Sequence, residues 1–371
     1  MYSHMPVDLS SALNGATVLV PGGAGFVGSW IAAAIAREAP SARVVALDNL
    51  HRRGAALHVP DLEASGVRFV HGDVRQADDV ADAVDECDVI VDCAAEASAS
   101  AGYFEPPARV VHTNLTGTIH CLEKARRHRA RVVFLSTSRV YPVAAINRIR
   151  VVEESTRWSA AGDQTEPGVS SLGIAEDFTL SGVRTLYGAT KLAAELLIAE
   201  YAAMYGVSYV INRLGVIAGP GQMGREEQGV FALWMARHHF GGALRYRGWG
   251  GCGKQVRDLL HVDDLWRLLR LQLTAWEQVN GRTYNVGGGP AVSLSLAEAT
   301  EMCRAITGRR IDIGFEPETH PSDVRWYVTD HAAVTRDTGW KPSYDARAIL
   351  VDLHAWMDRH HDRLAPIFLG A

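Results

Sequence analysis

Tyr187 and Lys191 stand four residues apart in Tyr187-Gly-Ala-Thr-Lys191, a spacing that puts both side chains on one face of a helix. A tyrosine hydroxyl is a poor base near neutrality. An ammonium beside it and a positively charged ring in front of it stabilise the phenolate and allow it to take a proton. The same spacing also suits an amphipathic helix carrying a solvated lysine. A hydroxyl-rich stretch, Ser136-Thr137-Ser138, precedes the motif, and such hydroxyls can share a substrate oxygen with the tyrosine.

A second constellation lies near the start of the chain. Gly22, Gly25 and Gly28, in PGGAGFVGS, form a GxxGxxG between an apolar run and a helical stretch. Glycine permits the tight turn and the close approach of backbone to a diphosphate, while the helix N-terminus supplies unpaired N–H donors. Asp48 follows Gly28 by twenty residues at the end of the next apolar run, where a carboxylate accepts hydrogen bonds from the ribose hydroxyls of a dinucleotide. Such a carboxylate repels a 2′-phosphate and favours NAD over NADP. Arg52 and Arg53, close by, are able to accommodate that phosphate and pull the other way. Asp73 and Val74 are placed to meet the adenine, although Asp73 suits an ordinary turn equally well.

The elements that must position these residues alternate. Ala16–Val20, Arg43–Leu47, Val67–Val70, Val89–Asp92 and Arg131–Leu135 are short, apolar and rich in β-branched residues. Helical stretches such as Ser29–Glu38 and Val110–Arg127 separate them, and Ala189–Met204 and then Ser208–Arg213 continue the pattern. Short apolar strands separated by helices predict a parallel sheet covered on both faces. The stretch from Val143 to Arg184 is polar and aperiodic, and predicts a surface excursion near the site. Residues 1–15 predict a disordered or loosely docked lead-in.

Composition excludes several classes. The 371 residues are 47% hydrophobic with a net charge of −5, so a nucleic-acid or membrane-surface binder, which needs a basic excess, is not indicated. No apolar run approaches the length of a membrane span. Cys87, Cys93, Cys121, Cys252 and Cys303 are scattered without a CxxC pair, which predicts neither disulfides nor a zinc site and fits a reducing cytoplasm. The adjacent pairs His238-His239 and His360-His361 do not make a metal site on a helix, and no metal is expected.

Taken together, PGGAGFVGS, DNLHRRGA, HGDVR, FLSTSRVY and YGATK resemble the extended short-chain dehydrogenase/reductase family of nucleotide-sugar enzymes, from about Ala16 to Pro342. The resemblance implies an α/β fold: a Rossmann-type doubly wound parallel sheet with a smaller C-terminal α/β substrate lobe. It implies an NAD-binding domain over 16–213, with 256–289 returning to it, and a nucleotide-sugar lobe over 214–255 and 290–371. Thr137, Tyr187 and Lys191 match the family's catalytic hydroxyl, tyrosine and lysine. The implied NAD contacts are Gly22, Gly25, Phe26, Val27, Gly28, Asp48, Asn49, Arg52, Asp73, Val74, Ala94, Ala95 and Asn114, with Tyr187 and Lys191. A homodimer is implied as well, through a two-fold contact of the Val110–Arg127 and Ala189–Met204 helices.

REEQGVFALW, GKQVRDLLHVDDL, TYNVGGGPAVSLSL and SDVRWYVTD are similar to the CDP-paratose (CDP-tyvelose) 2-epimerase branch. In that reading Ser138, Arg213, Gln228, Lys254, Gln255, Arg257 and Arg325 meet the nucleotide-diphosphate sugar, guanidinium forks suiting its diphosphate. For Arg257 and Arg325 a structural salt bridge is the alternative. Three residues depart from the family pattern: Pro21 in place of threonine, Pro142 in place of glycine, and Arg139 where relatives are often acidic. A sugar 4,6-dehydratase carries Asp-Glu where this chain has Ser138-Arg139, so dehydration is disfavoured. A UDP-glucuronate decarboxylase is weakened by Gly102 at the position of its usual glutamate, with Glu96 and Glu105 nearby. A 4-epimerase, using the same tyrosine and NAD, is the main enzymatic alternative. A nucleotide-binding regulator is the non-enzymatic one.

Overall fold

The computed structural model describes residues 8–103, 106–226 and 228–369. Its centre is a seven-stranded, wholly parallel sheet. In spatial order the strands are Arg282–Val286, Tyr209–Leu214, Arg131–Thr137, Val89–Asp92, Thr17–Pro21, Arg43–Asp48 and Arg68–His71. From Thr17–Pro21 the chain winds outward to one edge, then returns through Val89–Asp92 to the other. The winding direction therefore reverses between Thr17–Pro21 and Val89–Asp92, and ligands of such sheets bind outside the carboxyl ends of the strands at that reversal.

The apolar runs are continuous because both sheet faces are covered. Alternate side chains divide between two cores: Val18, Val20, Val44, Ala46, Val89, Val91 and Val133 enter one. Leu19, Val45, Leu47, Ile90, Val132 and Phe134 enter the other. Each such aliphatic residue, fully buried, contributes roughly 1.5–3 kcal/mol, so a slip of one residue in register would exchange the two sets and is strongly resisted.

A smaller mixed sheet is built on Val256–His261. It pairs in parallel with Val216–Ala218 and Trp326–Tyr327 and antiparallel with Ser293–Ser295. Val230–Phe240, Leu296–Thr307 and Ala346–Arg359 cover it around Phe231, Trp234, Leu294, Ile349 and Leu353. The segment 256–289 is thus divided: its first strand lies in the smaller sheet, whereas Val262–Thr274 packs on the Phe26–Glu38 helix and Arg282–Val286 closes an edge of the large sheet.

Two peripheral segments are anchored on the rest of the chain. Residues 8–15 are docked, because Asp8 caps a turn of helix at Leu9–Ala12 and Leu9 and Leu13 are buried in the main core. The 143–184 excursion shares a separate core with remote segments, in which Ala145, Ile146, Ile149, Ile174 and Phe178 pack against Val324, Trp326 and Tyr327. Its partners come from the far end of the chain, which is why its own periodicity is weak.

Candidate active site

A cleft of about 850 Å³ runs along the carboxyl ends of the large sheet's strands and is closed on its far side by the smaller lobe. Its floor is the glycine turn. Gly22 has φ 72°, and a Cβ there would meet the Cα and N of Ala94 at 2.8 Å. A Cβ at Gly28 would strike the Gly22 carbonyl. The Phe26–Glu38 helix begins at Gly25 with no side-chain cap, so its first N–H groups are left to the cleft. Asp48, at the end of its strand, accepts from Leu50 N at 2.8 Å and from Ala24 N at 3.1 Å. Burial pushes its carboxyl up, opposed by these backbone donors.

Leu50, at φ 53°, is held in the left-handed region by that bond to Asp48, and the loop after it aims Arg52 into the cleft. Arg53 also lines the cleft, while donating to the Pro366 carbonyl at 3.2 Å. Asn49 and Val74 line the cleft. Asp73 itself is taken up by Arg75 and by Asn49, whose Nδ2 donates at 2.9 Å. Burial alone would raise the Asp73 carboxyl, but these donors hold it well below the usual range.

At the other end, Thr137 closes its strand and Tyr187 opens the Leu186–Tyr205 helix, whose cap Thr185 accepts from Gly188 N. Thr137 and Tyr187 face each other, and both line the cleft with Ser138 and Arg139. Burial pushes the Tyr187 phenol up, while Thr137 and the charges of Arg139 and Arg52 pull it down. Lys191 is more deeply placed, with Nζ 3.9 Å from the centroid of the Phe134 ring. Burial lowers its ammonium, opposed by the Asp92 carboxylate. Asn114 is also beneath the surface, in a π turn, His112–Thr116, that interrupts the helix from Pro107 to His128. Its Oδ1 accepts from Glu96 N at 2.8 Å and its Nδ2 donates to Thr190 Oγ1 at 3.1 Å.

The candidate substrate residues divide. Ser138, Gln228, Gln255 and Arg257 line the cleft. Arg257 donates to Asp323 Oδ1 at 3.0 Å, and burial pulls its guanidinium down to about 10. Arg213, Lys254 and Arg325 lie off the cleft surface. Arg213 forks onto Glu195 at 2.7 Å and reaches Tyr141 Oη at 3.2 Å, both buried. Lys254 donates to Glu153 at 2.7 Å, and Arg325 donates to the Asn147 carbonyl at 2.7 Å and lies over the Trp249 ring. Asp323 and Glu96 were not singled out as site residues, yet both face the cleft. Asp323 stands in the SDVRWYVTD stretch, so a signal for it existed. Glu96 is held by Arg109 at 2.9 Å. Glu105 and Glu227 lie outside the described residues.

The family model for NAD-dependent epimerases and dehydratases matches residues 18–287. The chain belongs to the NAD-dependent epimerase/dehydratase family. It is 26% identical over 351 residues to CDP-paratose 2-epimerase of Salmonella typhi, covering 91% of this chain and 98% of that one. It is 28% identical over 349 residues to dTDP-glucose 4,6-dehydratase of Mycolicibacterium smegmatis, covering 91% and 92%. Among solved structures it matches Thermus thermophilus UDP-glucose 4-epimerase in complex with NAD with a TM-score of 0.71 and 26% identity, over 92% of this chain and 99% of that one.

The residues present fit the family's cofactor. The side-chain-free turn at Gly22, the uncapped helix start at Gly25 and the backbone of Ala94 and Ala95 leave a cradle that a Cβ at Gly22 would fill. Asp48 retains a second lone pair on each oxygen for ribose hydroxyls. The two residues after Thr137, Ser138-Arg139, contain no carboxylic acid.

Proposed function

We propose that this chain is an NAD-dependent nucleotide-sugar epimerase that inverts C2 of a CDP-linked deoxyhexose through a 2-keto sugar. The observation that carries the reading is the composition of the cleft around Tyr187. Thr137 and Tyr187 supply hydroxyls, Glu96 is tied to Arg109, Asp323 is tied to Arg257, and the position that would hold a dehydratase acid is Ser138. Such a set moves a proton on and off one oxygen. It is poorly equipped to protonate a departing hydroxide. Likeness to CDP-paratose 2-epimerase along nearly the whole of both chains supports C2 as the carbon.

Tyr187 as phenolate takes the proton of the sugar hydroxyl, with Thr137 hydrogen-bonded to the same oxygen, and gives it back when the keto group is reduced. Bound NAD supplies the acceptor and donor for the hydrogen on carbon. Lys191, one helical turn on, lies beneath the cleft with its ammonium against the Phe134 ring. Gln255 and Arg257, which line the cleft, would meet the sugar nucleotide's diphosphate. The five thiols are free, which supports a reducing compartment such as the cytoplasm. We further propose a homodimer built on the Leu186–Tyr205 helix.

Incubating the protein with CDP-, UDP- and dTDP-sugars, and reading products by NMR and mass spectrometry, tests this function. A substrate deuterated at C2 is expected to invert at C2 and keep its label, since hydrogen leaves and returns without meeting solvent. Inversion at C4 with C2 unchanged would replace this reading by the 4-epimerase, and a pentose product by the decarboxylase.

A further inference from the structure

Lys191 is the cation that the Tyr-Lys spacing offers to Tyr187, yet its Nζ sits against the Phe134 ring, within the field of the buried Asp92 carboxylate. Arg139 occupies the cleft instead. It follows Thr137 by two residues, on a short turn whose N–H donates to Thr137 Oγ1 at 3.1 Å. That turn lies directly on the first turn of the Leu186–Tyr205 helix: a Cβ at Gly188 would collide with the Arg139 carbonyl oxygen. The absence of a side chain at Gly188 therefore brings Arg139 against the residue next to Tyr187. The Arg139 guanidinium has one hydrogen-bond partner among the described residues, the Ser322 carbonyl at 2.9 Å. The carboxylate it faces, Asp323, is already paired with Arg257 at 3.0 Å. A guanidinium anchored at one corner and unneutralised at the others leaves net positive charge in the cleft wall beside Tyr187.

We propose that Arg139 is a positioning residue of the reaction, a fixed cation that acts through Tyr187 by supporting its oxygen when that oxygen is anionic. The proposal rests on Tyr187 being the base. Arg139 is always charged in the working range, and a nearby positive charge favours the ionised form of a phenol. The other groups that face Tyr187 are Thr137 and Arg52, and Arg52 is itself faced by Glu96, Asp48 and Arg225. Arg139 is also faced by Tyr327. Arg52 and Tyr327 stand on other segments, whereas Arg139 is on the turn that follows Thr137.

The test is the pH dependence of kcat/KM for Arg139→Met and Arg139→Lys, measured on whichever nucleotide sugar the wild-type protein turns over. For Arg139→Met the acid limb is expected to move up by about 1 pH unit, with turnover recovering toward wild type at high pH. Arg139→Lys is expected to bring the limb back. Arg139→Gln serves as a second neutral variant should the methionine disturb folding. A fall in kcat at every pH with the limb unmoved would mean that Arg139 only holds the Ser322 loop, and overturns the proposal. So would a loss of affinity for CDP alone equal to that of Arg257→Met, which would make Arg139 a diphosphate ligand. Tyr187→Phe separates the two levels. Full turnover by that variant removes the base and this inference together, whereas a dead Tyr187→Phe with an unmoved Arg139→Met limb removes this inference alone.

Discussion

Tyr187 sits in a place that opposes its own ionisation. Burial raises its phenol, and only Thr137 and the charges of Arg139 and Arg52 counter the rise. The fraction of active phenolate therefore grows with pH, and kcat/KM is expected to climb with pH through the acid limb. Removing the oxygen while keeping the ring is the cleanest test. Tyr187→Phe is expected to lower turnover by roughly 10²–10⁴-fold, the usual share of a positioned general base. Cofactor content and melting temperature should stay near wild type, because phenylalanine fills nearly the same volume. Turnover within a few-fold of wild type would take the base role from Tyr187.

The elements that flank Tyr187 are tied together by buried polar groups. The π turn swings Asn114 inward to join the Glu96 loop to Thr190, and Thr190 Oγ1 in turn donates to the Tyr187 carbonyl at 2.9 Å. Deeper in, Glu195 on the Leu186–Tyr205 helix is held by Arg213 on the neighbouring strand and by Ser136. Burial opposes the charge of Arg213, but Glu195 and Tyr141 keep its guanidinium above its ordinary value. Removing one partner leaves the other charged and unpaired. Arg213→Met is expected to cost about 3–5 kcal/mol of stability, seen as a lower thermal midpoint. Combining it with Glu195→Leu should recover most of the loss. A variant of full stability with a raised KM would return Arg213 to the substrate.

Across the whole molecule, the Leu186–Tyr205 helix is buried along one face and leaves apolar side chains exposed away from it. Leu196 is 64% exposed and Met204 66%. Among the described residues no helix is long and apolar enough to cross a membrane, so a lipid span does not account for this face. The proposed homodimer would cover these side chains, since a two-fold axis lets one helix face pack on itself. Light scattering is expected to give about twice the 40.3 kDa chain mass, with Leu196→Lys together with Met204→Lys shifting the protein toward monomer. A single species of chain mass at micromolar concentration would contradict the dimer.

Local rules made much of this protein legible from its residues alone. Strand, glycine turn and helix follow one another within thirty residues, so Gly22, Gly25, Gly28 and Asp48 could be read from spacing. Tyr187 and Lys191 share a helix face for the same reason. Long charged side chains obey no such rule, because their partners are set by packing between segments remote in the chain. Arg213 and Glu195 meet across a helix–strand contact, and Lys254 meets Glu153 from a hairpin a hundred residues away. Arg325 lies over Trp249 and bonds to the Asn147 carbonyl. Arg139 looked from the sequence like a departure from a pattern. Only the contact of its turn with Gly188, and the prior pairing of Asp323 with Arg257, made it a cation beside the tyrosine.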